Sequence, residues 1–142
     1  MIALRALCDI EFLDVQDVLA IHSRMISEFG GSPGVKSHEQ LESAVQAPRS
    51  GYYESYEELA RAVLDGIAFG HAFHDGNKRT AIRAMFLFLQ RNYIKPKRSD
   101  PIGMYEAVHC RVEREWDEHR FVQYLCTLEF RDLRRDSYAP PG

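Results

Sequence analysis

Between Asn77 and Asn92 the chain carries Ala81, Ile82, Ala84, Met85, Phe86, Leu87, Phe88 and Leu89, apolar side chains that fall on nearly every face of a helix. A helix with so little polar surface must be surrounded by other elements rather than laid on one side of them. Its unbroken apolar part, residues 84–89, is far shorter than the roughly 18 residues of a membrane span, so the surroundings must be protein. With 142 residues the chain suits one domain and is too short for two ordinary ones. The expected architecture is therefore all-α: a single domain over 1–142, its core at about 13–130 and a polar tail at 131–142, with the 77–92 helix at the centre.

The flanking patterns supply the cover. Asp14 precedes apolar residues at Val15, Val18, Leu19, Met25, Ile26 and Phe29, a spacing that predicts a helix over about 14–29. Gly30-Gly31-Ser32-Pro33-Gly34 stops it. Ser37 followed by Gln40 has the form of a capping box ahead of Leu41, Ala44 and Val45, giving a short helix over 38–46. Residues 47–56 hold Pro48, Gly51, Tyr52, Tyr53 and Tyr56 without periodicity and read as a loop or small hairpin able to lie over a site. Leu59, Ala62, Val63, Gly66 and Ile67 mark a helix over 57–69, and two more are expected at about 103–112 and 117–130. Residues 4–12 allow a short strand; no repeat, sustained heptad or sheet pattern occurs.

Composition fits a soluble globular protein, at 45% hydrophobic and 27% charged residues. No basic-then-apolar leader opens the chain, and a cytoplasmic location is expected. Cys8, Cys110 and Cys126 are scattered and odd in number, against both a disulfide framework and a structural zinc site. Net charge is −3, yet between Asp75 and Asp100 stand Lys78, Arg79, Arg83, Arg91, Lys95, Lys97 and Arg98 with no acid among them. A solvated basic face is the plain explanation of such a run. What precedes it offers another.

His71-Ala72-Phe73-His74-Asp75-Gly76-Asn77-Lys78-Arg79-Thr80 feeds the start of the buried helix. Unpaired backbone N–H groups and the positive end of the helix dipole meet there, an anion site before any side chain is counted. Gly76 lets a phosphate approach the backbone, and Lys78 and Arg79 add positive charge. Asp75 is placed to hold a magnesium ion that bridges nucleotide phosphates. His71, an imidazole able to accept and release a proton, suits a general base acting on a hydroxyl. Each residue also has a structural role open to it: Asp75 as an N-cap, Gly76 as a turn residue, Arg79 and Arg83 as an exposed stripe, His71 as a solvated loop residue.

The string His71-x-Phe73-x-Asp75-Gly76-Asn77-Lys78-Arg79-Thr80-Ala81 resembles the signature of the Fic/Doc superfamily, in the form carried by death-on-curing (Doc) toxins of type II toxin–antitoxin modules. Phe29-Gly30-Gly31-Ser32-Pro33-Gly34-Val35, then Leu41-Glu42-Ser43-Ala44 and Pro48, resembles the segment ahead of that motif. The resemblance covers about residues 13–93. It implies a Fic fold, about six helices around a central buried helix with a short flap. It also implies transfer of part of ATP, with Mg2+, to a protein hydroxyl. For Doc toxins it implies phosphorylation of elongation factor Tu on a threonine, halting translation, under control of a cognate antitoxin. By position, His71 would be the base, Asp75 the magnesium ligand, and Gly76, Asn77, Lys78 and Arg79 the phosphate cradle, with Lys78 also catalytic. Phe73 would anchor the loop, and residues 47–56 would form the flap, with Tyr52, Tyr53 and Tyr56 docking the target.

The chain departs from the AMP-transferring Fic pattern, which reads Gly-Asn-Gly-Arg-x-x-Arg. Lys78 replaces its second glycine and Ile82 its second arginine, while Arg83 stands one residue late, about 100° round a helix. Gly70 replaces a common asparagine, and His74 is an additional imidazole. Ser50-x-x-x-Glu54-Ser55 is the nearest approach to a self-inhibitory helix motif and ends in serine, so inhibition is expected from an antitoxin whose disordered tail folds into a groove. Adenylyl transfer, a metal-dependent hydrolase built on His71, His74 and Asp75, and a non-catalytic nucleotide- or antitoxin-binding module are the competing readings. Nucleic-acid binding is disfavoured because the helix behind the cations is too apolar to lie in a groove of DNA.

Overall fold

The computed structural model describes residues 1–134. Six α-helices follow one another: α1 Val15–Phe29, α2 His38–Gln46, α3 Tyr56–Gly70, α4 Asn77–Arg91, α5 Pro101–Val112 and α6 Glu118–Cys126. Short 3-10 turns occupy Leu7–Asp9 and Ala47–Ser50, and β1 Ile94–Pro96 and β2 Phe130–Asp132 are the strands. No helix among the described residues is long and apolar enough to cross a membrane.

Side-chain caps set most helix starts. Asp14 accepts from Asp17 N–H at 2.8 Å while Asp17 accepts from Asp14 N–H at 2.9 Å, a complete capping box at α1. Ser37 accepts from Gln40 N–H and Ser55 from Glu58 N–H, both at 3.2 Å, and Asp100 and Asp117 cap α5 and α6 in the same way. Each cap satisfies a donor that the helix itself cannot. Only α4 begins without one: its cap is Gly76, which has no side chain to offer.

The centre of the fold is α4, packed against α1, α3, α5 and β1. Its Ala81, Ala84, Met85, Phe88 and Leu89 are buried in one core with Val18 of α1, Leu64 and Ile67 of α3, and Met104 and Val108 of α5. Removing a large side chain of this kind from water stabilises the fold by about 2 kcal/mol. Enclosure is incomplete, since Ile82, Phe86 and Leu87 are half-buried and Arg83, Gln90 and Arg91 exposed. The all-helical expectation holds, with a two-stranded antiparallel ribbon added in which Ile94 faces Asp132 and Pro96 faces Phe130.

That ribbon corrects the expected 117–130 helix. The helix ends at Cys126; Thr127 Oγ1 donates to the Tyr124 carbonyl at 2.6 Å, and Glu129 takes a left-handed conformation at φ 52° before the strand begins. The polar tail expected at 131–142 is ordered at residues 131–132 as part of β2, and from residue 135 lies outside the described residues. The strand expected in residues 4–12 is replaced by the turn at Leu7–Asp9, with backbone pairing only between Ala3 and Ser55. The basic run is dispersed as well: Arg91 grips Asp17 with both terminal nitrogens at 2.7 Å, while Lys97 and Arg98 each lie 3.5 Å from Glu129.

Candidate active site

The loop between α3 and α4 is fastened from three directions. Asn77 accepts from Phe73 N–H at 3.1 Å and donates to the Phe73 carbonyl at 2.9 Å, closing the turn on itself. The segment ahead of α2 runs beside it: Val35 pairs with Phe73, and Lys36 and Ser37 N–H both donate to the Ala72 carbonyl, at 2.7 and 3.1 Å. From α1, the buried His22 ring lies parallel to the Phe73 ring, centroids 3.7 Å apart at 6°, and His22 Nε2 donates to the Asp75 carbonyl at 2.8 Å. Phe73 itself is 1% exposed, the anchor expected of it.

At one end of this loop His71 caps α3 in the left-handed conformation, φ 50°, with its side chain exposed. Such a backbone is sparsely populated by residues other than glycine and tends to be kept where a side chain must be presented. At the other end Gly76 sits at φ 78°, and a side chain there would meet Ile26 Cδ1 at 3.3 Å and His22 Cδ2 at 3.6 Å. Only glycine suits both the torsion and the close approach. The first α4 hydrogen bond is Thr80 N–H to the Gly76 carbonyl. The N–H groups of Gly76, Asn77, Lys78 and Arg79 therefore have no acceptor among the described residues.

The remaining predicted side chains divide by role. Asp75 is exposed, and its Oδ2 accepts from Ser32 N–H at 2.7 Å. Gly31, at φ 112°, brings its segment so close that a side chain on it would stand 3.0 Å from Asp75 Cβ. Lys78 is half-buried and forms no ion pair among the described residues. Arg79 is held between two rings, its guanidinium 4.4 Å from the centre of Phe29 and 4.9 Å from that of Tyr105. Asn77 has only its backbone left to offer the expected cradle, because its carboxamide is committed to Phe73. His74 is exposed, and no group of three or more His, Cys, Asp or Glu side chains able to hold a metal occurs among the described residues. That leaves the hydrolase reading without a metal cage.

Beside Arg79 lies a groove of about 720 Å³ between the end of α1, α4 and the start of α5, floored by Phe29, Ile82, Phe86, Ile102 and Tyr105. On the α5- and α6-facing side of α3, Asp65 sits among Arg61, Arg111 and Glu118. Burial pushes its carboxyl up to about 6 despite the two arginines, and its Oδ1 has no hydrogen-bond partner.

The expected flap is corrected at Tyr56. Tyr56 opens α3 and His71 follows its end, so the helix's fifteen residues set these two about 20 Å apart, while Pro48 lies nearer, beside Val63 and Ile67. Tyr56 is wholly buried, with its hydroxyl accepting from Arg5 at 2.9 Å; Tyr53 packs on the core, and only Tyr52 is exposed. The segment beside the loop is instead residues 31–37. His22 is the residue that sequence reasoning passed over; its signal was a lone imidazole on the apolar stripe of α1, one turn from Val18 and Met25.

The stretch from the cap of α1 through nearly all of α4 also carries the likeness to known proteins. The Fic/DOC family profile matches residues 12–89. Protein kinase doc of Escherichia phage P1 is 38% identical over 85 residues, which span 56% of this chain and 67% of that protein. Toxin Doc of Mycolicibacterium smegmatis is 39% identical over 90 residues, 60% of this chain and 67% of that protein. With the family match covering more than half of the chain and the whole of the fastened loop, the protein belongs to the Fic/DOC family.

Proposed function

We propose that this protein is a Doc-like toxin acting in the cytoplasm. On this reading it transfers the γ-phosphate of ATP to a threonine hydroxyl of a translation factor, elongation factor Tu by family resemblance, and a cognate antitoxin neutralises it. The observation that carries the reading is the bare start of α4. Among the described residues Gly76 leaves successive N–H groups without acceptors and Lys78 beside them without an ion pair, with the exposed His71 at the other end of the same fastened loop. Oriented amides at a helix start hold a phosphate without reorganising.

In this scheme neutral His71 takes the threonine proton as the hydroxyl oxygen attacks the γ-phosphorus. The bond to the β-phosphate oxygen breaks, ADP departs, and the proton remains on His71. The amides of residues 76–79 and the Lys78 ammonium hold phosphate oxygens through the transfer. Asp75 would hold magnesium: its exposed carboxylate keeps one oxygen unengaged among the described residues, the hard oxygen donor such an ion takes. Magnesium, when bound, neutralises charge on the phosphates. Lys78 narrows the deep end of the cradle where Fic adenylyltransferases carry glycine, which favours presenting the γ- rather than the α-phosphate to His71.

The apolar groove beside Arg79 supports the second part of the proposal, a concave surface on which an amphipathic antitoxin segment folds. Transfer is tested by incubating the purified protein with elongation factor Tu and Mg-ATP labelled at the α or the γ position. Label from γ with a mass gain of one phosphoryl group is the expected outcome, reduced on the order of 10²- to 10⁴-fold in His71→Ala. Label from α would establish adenylylation instead, and undiminished transfer by His71→Ala would remove the histidine as base.

A further inference from the structure

We propose that His22 is a positioning residue that aims the Gly76 N–H into the anion cradle. The inference rests on the reading of residues 76–79 as a phosphate site and names what holds that site in its working orientation.

His22 is the one histidine of the chain in the buried interior, at 4% exposure. Burying an imidazole is costly unless its polar atoms are satisfied, and its neighbours on the same stripe, Val18 and Met25, show that an apolar side chain would serve for packing. What a histidine adds is the Nε2–H donated to the Asp75 carbonyl at 2.8 Å. A carbonyl oxygen only accepts, so the ring carries its proton on Nε2. The parallel stack on Phe73 fixes the ring plane, and Phe73 is itself tied to Asn77 and Val35.

The Asp75 carbonyl and the Gly76 N–H belong to one trans peptide, in which C=O and N–H point in opposite directions. Drawing the carbonyl inward to His22 therefore turns the Gly76 N–H outward, toward the cradle, where it has no acceptor among the described residues. Glycine at φ 78° does not by itself hold that orientation, since a glycine tolerates the alternative torsions as well. A rotation of this peptide would present the carbonyl oxygen to the phosphate in place of the N–H, replacing attraction with repulsion. His22 opposes that rotation from outside the loop. Asp75's carboxylate is held separately, by Ser32 N–H.

The test uses the full chain as His22→Phe, which keeps a ring against Phe73 without the donor, and His22→Gln, which returns an N–H at similar reach. Nitrogen NMR of the unmodified imidazole is expected to show Nε2–H; an Nδ1–H tautomer would overturn the proposal without any variant. In His22→Phe the Gly76 amide resonance should move, and affinity for Mg-ATP and for inorganic phosphate should fall on the order of 10-fold. Far-ultraviolet dichroism should stay native, and His22→Gln should recover most of the affinity. A folded His22→Phe with an unmoved Gly76 amide and unchanged affinity would refute it. Should His22→Phe not fold, the tautomer and His22→Gln decide alone. If the unmodified protein binds neither nucleotide nor phosphate, the proposed function fails, while the tautomer and the Gly76 amide still decide whether His22 sets that peptide.

Discussion

Replacing Asp65 by asparagine should make this protein more stable, and only above a definite pH. The Asp65 carboxyl is pushed from 3.8 up to about 6, chiefly because burial penalises its charged form, with Arg111 and Arg61 offsetting part of that penalty. Arg61 Nε stands 4.0 Å away, beyond hydrogen-bond reach, and the same guanidinium is engaged by Glu118 through Nη1. Below pH 3.8 the group is protonated in both folded and unfolded chains and costs nothing. Between 3.8 and 6 the unfolded chain loses the proton while the folded one retains it, so stability declines as pH rises. Above 6 the penalty is constant, at about 3 kcal/mol for a displacement of this size. Asp65→Asn removes the titration. Urea unfolding of both proteins across pH 4 to 8 should give a difference near zero at the acid end and about 2–3 kcal/mol in favour of the variant at the alkaline end. Taking the difference cancels the other titrating groups. A pH-independent difference, or a wild type more stable at pH 8, would show that the arginines outweigh burial and refute the argument.

Asn77→Ala leaves the Phe73 N–H and carbonyl without their partner and should cost about 1–3 kcal/mol in thermal or urea unfolding, together with weakened Mg-ATP binding; an unchanged midpoint would show that the clamp is dispensable. The hydrogen bond from Arg91 holds Asp17 down to about 2, so this pair stabilises the fold above pH 3.8 and ceases to do so as pH falls through about 2. Because Arg91 is partly exposed, Asp17→Asn should cost only about 1 kcal/mol at neutral pH, and a cost that persists at pH 2 would exclude the ion pair as its origin.

Helix positions were legible where a cap announced them: Asp14 and Ser37 mark starts that the structure reproduces, and the Gly30–Gly31 stop follows Phe29. What local pattern did not carry was pairing between distant segments. Phe130 continues the apolar spacing of α6 and reads as the end of a helix, with Arg131 and Asp132 as the start of a polar tail, yet all three are claimed by β1, more than thirty positions earlier. The site was legible in its residue types and less so in their duties. Asn77 has the chemistry of a phosphate ligand, but its carboxamide meets a peptide group in its own loop first. Tyr56 sits in a segment without periodicity, which suggested a flap; its partner Arg5, also bound to Asp132, draws it into the interior. His22 drew no attention because its bond partner is a backbone carbonyl, which leaves no mark in the sequence.

The fastening of residues 72–77 has a thermodynamic consequence for anything that docks there. Ordering a free backbone residue costs about 1–2 kcal/mol, so a loop of this length that closed only around its ligand would surrender on the order of 10 kcal/mol of binding. In this protein that entropy is lost once, during folding, through bonds to Asn77, Val35 and His22. On the proposed reading, an arriving anion would then meet amides that need no rearrangement, and its affinity would be governed by charge and solvation. Discharge follows the same rule: with no loop to reopen, a bound anion leaves at a rate set by its own loss of charge complementarity and by the ionic strength around it.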